Sequence, residues 1–157
     1  MKNKVWLLLF LMFLVVGCNN DDNGNNENNN NADVPETDII EYGTTELEKS
    51  ALMVYYFWGD GCPHCEDQRE YLEKWAEAYP EITIVSFETW QTPENVDIMR
   101  EIGQVYDTEV RGVPATFIGD RFWTGFSAQM ASQMEQKIKQ CLEDECVDKV
   151  FDEVLEK

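Results

Sequence analysis

The chain has 157 residues and carries 31 acidic against 12 basic side chains, a formal net charge of −19. This charge argues against nucleic acid and anionic lipid surfaces as partners, because their phosphate groups would repel the protein. Hydrophobic residues make up 43% of the sequence, enough to bury a core in a single domain of ordinary size. We place that domain at residues 37–157.

The first residues have the pattern of a bacterial secretory signal. Lys2 and Lys4 precede the apolar stretch Val5–Val16, which at twelve residues is too short to span a bilayer. The stretch runs into Cys18 through a sequence that resembles a lipobox, the motif in which the cysteine receives a diacylglycerol. We therefore expect a lipoprotein signal peptide at residues 1–17, lipidation of Cys18, and an extracytoplasmic position anchored to the bacterial cell membrane. An ordinary signal peptide with a coincidental cysteine is the alternative.

Residues 18–36 are dominated by asparagine, which fills nine of the thirteen positions from 19 to 31. The asparagine run has no apolar side chains to bury, so nothing offsets the entropy that ordering would cost. We predict a disordered tether between the lipid and the domain.

The domain alternates strand-like and helix-like segments. The aromatic run Leu52–Trp58 predicts a buried strand, and the apolar spacing after Pro63 predicts a helix that ends near Tyr79. The segments that follow are a strand at Ile82–Phe87, a helix at Pro93–Tyr106, strands at Ala115–Ile118 and Arg121–Phe126 joined at Gly119-Asp120, and a final helix after Ser127. Residues 38–49 are ambiguous. The first two strands are expected to run parallel, because a helix connects them.

Two cysteines two residues apart stand where the first strand gives way to the first helix, in Cys62-Pro63-His64-Cys65. A helix N-terminus offers unpaired backbone N–H groups and a partial positive charge, and both favour a thiolate on Cys62. His64, the only histidine, can add a second positive charge. The helical spacing turns Cys65 towards the core and leaves Cys62 exposed, which suits a resolving and an attacking thiol. A structural disulfide and a metal site are the alternatives.

This order of elements, with the cysteine pair after the first core strand and Val113-Pro114 before the hairpin, resembles the thioredoxin superfamily. The Cys-Pro-His-Cys sequence is typical of DsbA-like disulfide oxidases. The resemblance implies an α/β fold, a thioredoxin-like three-layer α/β/α sandwich with a mixed central sheet. It implies that Cys62 attacks clients, that Cys65 resolves the mixed disulfide, and that His64 stabilises the Cys62 thiolate. It also implies a cis bond at Pro114, with the Val113 backbone pairing with an extended client.

Two aromatic residues add to this picture. Trp58 would either cover the redox site from one side or belong to the core, and the sequence favours neither. Many members of the superfamily carry a buried acid six residues before the first cysteine, where it serves proton transfer to the resolving thiol; this chain has Tyr56 there. Proton transfer to Cys65 would then rely on water or on another carboxylate, which weakens the case for a reductase.

Setting Cys18 aside from the five cysteines leaves two pairs, the second of which is Cys141 and Cys146. In an unbroken helix these positions lie about 7.5 Å apart along the axis and about 140° apart in rotation, which prevents a disulfide. We therefore predict that the helix breaks near residues 143–145 and that a structural disulfide joins the two cysteines. A second redox relay that exchanges electrons with the first pair is the alternative.

These observations favour a membrane-tethered thiol–disulfide oxidoreductase outside the cytoplasm, more an oxidant than a reductant, with no cofactor. Its partners would be cysteine-containing secreted proteins and a membrane redox partner that recharges the cysteine pair. A second hypothesis is a soft-metal carrier, in which Cys62, His64 and Cys65 bind copper(I) or zinc. A third is a non-catalytic binding lipoprotein that keeps the fold.

Overall fold

The computed structural model describes residues 39–43 and 49–155, and all of these belong to one compact unit. The expected signal peptide (1–17), lipidated Cys18 and tether (18–36) lie outside the described residues. The strands are β1 Ile39–Glu41, β2 Leu52–Trp58, β3 Ile82–Glu88, β4 Ala115–Ile118 and β5 Arg121–Thr124, and the helices are α1 Pro63–Ala78, α2 Pro93–Val105, α3 Ala128–Asp144 and a short π-helix, Phe151–Leu155. Within these ranges, no helix is long and apolar enough to cross a membrane.

The five strands form one mixed sheet in the order β1-β3-β2-β4-β5. Strands β1, β3 and β2 run parallel, as the helical connection between β2 and β3 requires, while β4 pairs antiparallel with both β2 and β5. The β4–β5 turn contains Gly119, whose φ of +57° suits a residue without a side chain. The mixed central sheet expected from the sequence is confirmed.

Side chains of β2 alternate between two cores, one on each face of the sheet. Val54 and Tyr56 belong to a cluster with buried residues of α1 and α3, whereas Tyr55 and Phe57 belong to a cluster with buried residues of α2. Because both faces are covered, β2 is buried along almost its whole length. The three-layer α/β/α sandwich is confirmed.

The segment that the sequence left ambiguous contributes the edge strand β1. Residues Ile39–Glu41 pair with β3, and the Tyr42 N–H donates a further hydrogen bond to the Ser86 carbonyl (2.9 Å). Three partly exposed residues are too few to show the alternation that identifies a strand. The other predicted boundaries agree with the structure to within two residues.

The chain breaks after α3 where the sequence predicts. The helix ends at Asp144, and Glu145 adopts the left-handed backbone conformation with φ of +51°. This break brings Cys141 and Cys146 together in a disulfide. The disulfide lies against the β4–β5 turn, because a Cβ added to Gly119 would stand 2.7 Å from the Cys141 Sγ.

The residues after this disulfide form the C-terminal extension of the domain. Val150 and Phe151 are buried with the core on the α2 side, and the Tyr55 hydroxyl donates a hydrogen bond to Asp148 (2.6 Å). Val147, in contrast, is 72% exposed and lies in a non-helical stretch.

Candidate redox site

The first cysteine pair lies where β2 ends and α1 begins. Cys62 is the N-cap of α1, its N–H donates to the Gly59 carbonyl (3.1 Å), and Pro63 follows as the first helical residue. The Cys62 Sγ is bonded to the Cys65 Sγ and accepts a hydrogen bond from the Cys65 N–H (3.2 Å). A sulfur at this position faces the positive end of the helix, which stabilises a thiolate once the disulfide opens.

Both cysteines are buried in the disulfide form, with exposures of 6% for Cys62 and 2% for Cys65. The prediction that Cys65 turns towards the core is confirmed. The prediction that Cys62 is exposed is wrong for this form, because the disulfide holds its sulfur against the buried partner. The residues on either side, Gly61 and Pro63, are exposed, so the loop itself is open to solvent.

His64 faces the solvent beside the disulfide. Its side chain is 71% exposed, and its Nδ1 lies 3.8 Å from the Asp67 carboxylate. The disulfide form has no thiolate for it to bind, so the expected hydrogen bond to Cys62 stays a prediction for the reduced form. His64 also lines a shallow groove whose other walls include Tyr71 and Phe126.

Tyr56 ties the second cysteine to the sheet. Its side chain is 1% exposed, and its hydroxyl donates a hydrogen bond to the Cys65 carbonyl (2.7 Å). Burial raises the pKa of Tyr56 well above its ordinary value, although the charge of Arg69 acts in the opposite direction. The hydroxyl therefore stays protonated and positions Cys65 without accepting its proton.

A cavity of about 370 Å³ lies beside Cys65 and is lined by residues of three elements. They include Tyr56 of β2, Arg69 of α1 and Glu41 of β1. Glu41 and Tyr56 both pair with Ser86 of β3, so their side chains are on the same face of the sheet. The cavity thus brings a carboxylate and room for water to the side of Cys65.

Trp58 serves both the core and the site. It is half-buried against the cluster that contains the two cysteines, and it lines the same cavity as Cys65. The Arg69 guanidinium lies over its ring at 4.6 Å from the centroid, a cation–π contact. Among the described residues, the buried Trp58 Nε1 has no hydrogen-bond partner.

The Val113–Pro114 peptide bond is cis, as the resemblance implies. Pro114 is buried, and its carbonyl accepts a hydrogen bond from the Gly125 N–H (2.7 Å), which closes the β4–β5 ladder. Val113 is half-buried and packs against the cluster that contains Cys62 and Cys65. The residue before the cis-proline and the cysteine pair therefore share one core cluster.

Two polar residues that position the site escaped the sequence analysis. Gln68 is fully buried in α1, and its amide donates to the Thr116 hydroxyl of β4 (2.5 Å), so it joins the helix to the strand that follows Pro114. Glu88, at the end of β3, is 7% exposed. Gln68 stands among charged residues in the sequence and Glu88 follows the apolar part of β3, and only the tertiary structure shows that both side chains are buried.

The Glu88 carboxylate accepts hydrogen bonds from four backbone N–H groups, those of Asp60 (3.3 Å), Trp90 (2.9 Å), Gln91 (2.7 Å) and Thr92 (3.1 Å). Burial acts to raise the pKa of Glu88, but the four donors outweigh it and hold the pKa below the ordinary value. Glu88 thereby joins the loop before Cys62 to the loop before α2.

No protein-family model and no curated protein matches the sequence. Solved structures do match. Thioredoxin f from spinach chloroplast aligns with a TM-score of 0.51 and 18% identity, over 66% of this chain and 95% of that one. An uncharacterized thioredoxin-like protein from Clostridium perfringens aligns with a TM-score of 0.51 and 16% identity, over 76% of this chain and 93% of that one.

These similarities concern the fold. The mixed sheet has a close cysteine pair at the end of β2 and a cis-proline at the start of β4. The chain has the thioredoxin fold and carries a redox-type cysteine pair.

Proposed function

We propose that this protein is an extracytoplasmic, membrane-tethered thiol–disulfide oxidoreductase that oxidises the cysteines of secreted proteins. The observation that carries the proposal is the Cys62–Cys65 disulfide at the N-terminus of α1, in the same core cluster against which Val113, next to the cis-proline, packs. A disulfide in an open loop beside an extended backbone segment can meet a client cysteine and hold the polypeptide that carries it.

In the oxidising direction, a client thiolate attacks the Cys62 Sγ and the Cys62–Cys65 bond breaks, leaving a thiolate on Cys65 that takes up a proton. A second client thiolate then attacks the client sulfur bonded to Cys62, which forms the client disulfide and releases Cys62 as a thiolate. The client loses two electrons and two thiol protons, and the cysteine pair gains the two electrons. A membrane partner that accepts those electrons would restore the disulfide.

Three features of the site support an oxidant. The start of α1 and the Cys65 N–H stabilise a Cys62 thiolate, and a stabilised reduced form makes the disulfide a stronger oxidant. His64 is close enough in sequence to add a positive charge beside that thiolate. Tyr56 stays protonated where an acid would assist the resolving thiol of a reductase.

The membrane tether and the location outside the cytoplasm are supported by the sequence. The basic start, the short apolar stretch and the lipobox-like sequence before Cys18 together favour lipidation. Metabolic labelling with an alkynyl fatty acid tests this directly. The full-length protein should take up the label and sediment with membranes, and Cys18→Ser should lose both properties. Label that persists in Cys18→Ser would contradict lipidation at that residue.

The reduction potential of the Cys62–Cys65 pair tests the activity and its direction. The full-length protein would be equilibrated with defined ratios of thiol to disulfide, with Cys62→Ser as the control. A value near −120 mV identifies a strong oxidant, and one near −270 mV identifies a reductant. A pair that does not titrate, or titrates only as bound metal is released, would overturn the oxidoreductase proposal.

A further inference from the structure

Trp90 is a large apolar side chain exposed beside the redox loop. It lies between β3 and α2, and it is 59% exposed. Trp75 and Trp123, in contrast, are almost entirely buried. Burying a tryptophan is strongly favourable, and exposed tryptophans are often the residues that dominate binding at an interface.

The backbone around Trp90 is held in place by hydrogen bonds. Its N–H donates to the Glu88 carboxylate (2.9 Å), as do the N–H groups of the next two residues. The preceding residue, Thr89, donates from both its N–H (2.9 Å) and its hydroxyl (2.8 Å) to the Trp58 carbonyl. Asn95 donates from its side chain to the Glu88 carbonyl (2.8 Å). The exposed indole therefore projects from a fixed backbone, which lowers the entropy lost when a ligand binds to it.

The indole ring lies directly over the loop that leads to Cys62. A Cβ added to Gly59 would stand 2.3 Å from two ring carbons of Trp90, so the ring covers this glycine. The carbonyl of Gly59 accepts the hydrogen bond from the Cys62 N–H (3.1 Å). A polypeptide joined to the Cys62 sulfur would thus pass within side-chain reach of the Trp90 ring.

The negative charge of the chain limits which molecules can bind at the exposed Trp90 side chain. The formal net charge of −19 opposes a second copy of the chain and an anionic bilayer. Two exposed acids add to this near Trp90: Glu94 follows it closely in the sequence, and Asp60 accepts a hydrogen bond from the side chain of the next residue, Gln91 (3.1 Å). The occupant that the redox chemistry itself brings to the site is the client polypeptide. An aromatic side chain of that client can stack on the exposed indole, a contact worth about 0.5–1.5 kcal/mol.

We propose that Trp90 is a specificity-determining residue that selects clients with an aromatic side chain close to the reacting cysteine. This inference rests on the proposed oxidoreductase function and adds to it the class of client. Trp90 takes no part in bond making. Its effect is confined to how tightly a polypeptide is held while its thiolate reacts with Cys62.

Two peptides that differ at a single position next to one cysteine, phenylalanine in one and serine in the other, would test this inference. The rate at which each reduces the Cys62–Cys65 disulfide of the full-length protein would be measured, together with the rate for dithiothreitol. We expect the phenylalanine peptide to react roughly 2- to 12-fold faster, which is the stacking energy expressed as a rate ratio. Trp90→Ala should abolish this preference when each peptide rate is divided by the dithiothreitol rate of the same protein.

Two further variants keep the test specific. Trp90→Phe should restore most of the preference, because it returns an aromatic ring to the same backbone position. Phe122→Ala removes a 38% exposed aromatic side chain from the β4–β5 hairpin and should leave the preference unchanged. Melting temperatures of all variants would show that the fold is kept.

The outcomes separate this inference from the proposed function. A wild-type protein that reacts equally with both peptides, or a Trp90→Ala protein that keeps the preference, would overturn the role of Trp90 and leave the oxidoreductase function intact. A wild-type protein whose disulfide reacts with neither peptide nor dithiothreitol would overturn both.

Discussion

The two disulfides of this domain stand at opposite ends of their helices. Cys62 caps the N-terminus of α1, where its sulfur accepts the Cys65 N–H. Cys141 lies in the last turn of α3, followed by the acidic residues 143–145. The partial charge of a helix is positive at its N-terminus and negative at its C-terminus, so a thiolate is stabilised at the first site and destabilised at the second. The helix ends thus favour thiol–disulfide exchange at Cys62–Cys65 and a persistent disulfide at Cys141–Cys146.

The two disulfides also lie at opposite ends of the sheet. Strand β4 begins next to Pro114, where Ala115 pairs with Phe57, and it ends before Gly119, which contacts Cys141. Its four residues span about 13 Å, far longer than a sulfur–sulfur bond. Direct exchange between the two pairs within one folded chain is therefore disfavoured, which argues for a structural role of the second disulfide.

Replacing the cysteines of each pair gives the largest expected contrast. Cys62→Ser should reduce the rate of client oxidation to that of the uncatalysed reaction, because serine cannot form a mixed disulfide. Cys65→Ser should also lose client oxidation, because it cannot form the disulfide that the client thiolate attacks. With a client disulfide instead, its Cys62 thiolate should accumulate a mixed disulfide, since the second thiol that would release the client is missing. Oxidation of a dithiol peptide measures the loss of activity in both variants, and mass spectrometry of the protein after incubation with a disulfide peptide detects the mixed disulfide.

The double variant Cys141→Ser, Cys146→Ser should keep the oxidation rate and lose stability. A loop of six residues predicts a loss of about 2 kcal/mol in the free energy of unfolding. Urea unfolding of the oxidised proteins measures this loss. If the double variant lost client oxidation while remaining folded, the second pair would be a redox relay and the comparison of the two sites would fail.

Much of the difference between the two disulfides can be predicted from the sequence, because it depends on the spacing of cysteines within one helix and its flanking residues. The position of Cys62 after an apolar run and before Pro63 predicts a helix N-cap, and the five-residue separation of Cys141 from Cys146 predicts a broken helix. Each inference needs only the geometry of one element and its neighbour.

Other parts of the site depend on contacts between distant segments, and these the sequence does not reveal. Glu88 is an acid between Phe87 and Thr89, and the four backbone N–H groups that compensate its burial come from two loops. Trp90 looks like a core residue until the structure shows it exposed. Strand β1 is too short for a periodic signal and is defined by its pairing with β3.

A titration of the oxidised protein with reducing agent tests whether the helix ends determine which disulfide is reduced first. The Cys62–Cys65 pair should be reduced first, at a potential about 30 mV or more above that of Cys141–Cys146, since the helix charges favour opposite states of the two pairs. Stepwise alkylation with mass spectrometry of the cysteine peptides distinguishes the pairs. Reduction of the second pair before the first would show that the helix ends do not set the order.

The smallest expected effect is on the free energy of unfolding and concerns Glu88, which binds the loop before Cys62. The pKa of Glu88 lies below its ordinary value of 4.5, so the folded protein binds this proton less tightly than the unfolded chain. The stabilisation from the Glu88 carboxylate is therefore complete above the ordinary pKa and is lost as the pH falls through the folded-state value. Glu88→Gln should cost about 1 kcal/mol in the free energy of unfolding at pH 7.

Urea unfolding of the wild type and Glu88→Gln at pH 7 and at pH 3 measures how this difference changes with pH. We expect the two proteins to approach each other in stability at the lower pH, because the stabilisation from the Glu88 carboxylate decreases as the pH falls below the ordinary pKa. Glu101→Gln, on the exposed face of α2, is the matched control and should differ little from the wild type at either pH. A stability difference for Glu88→Gln that stayed constant with pH would show that the charge of Glu88 does not hold the loop before Cys62.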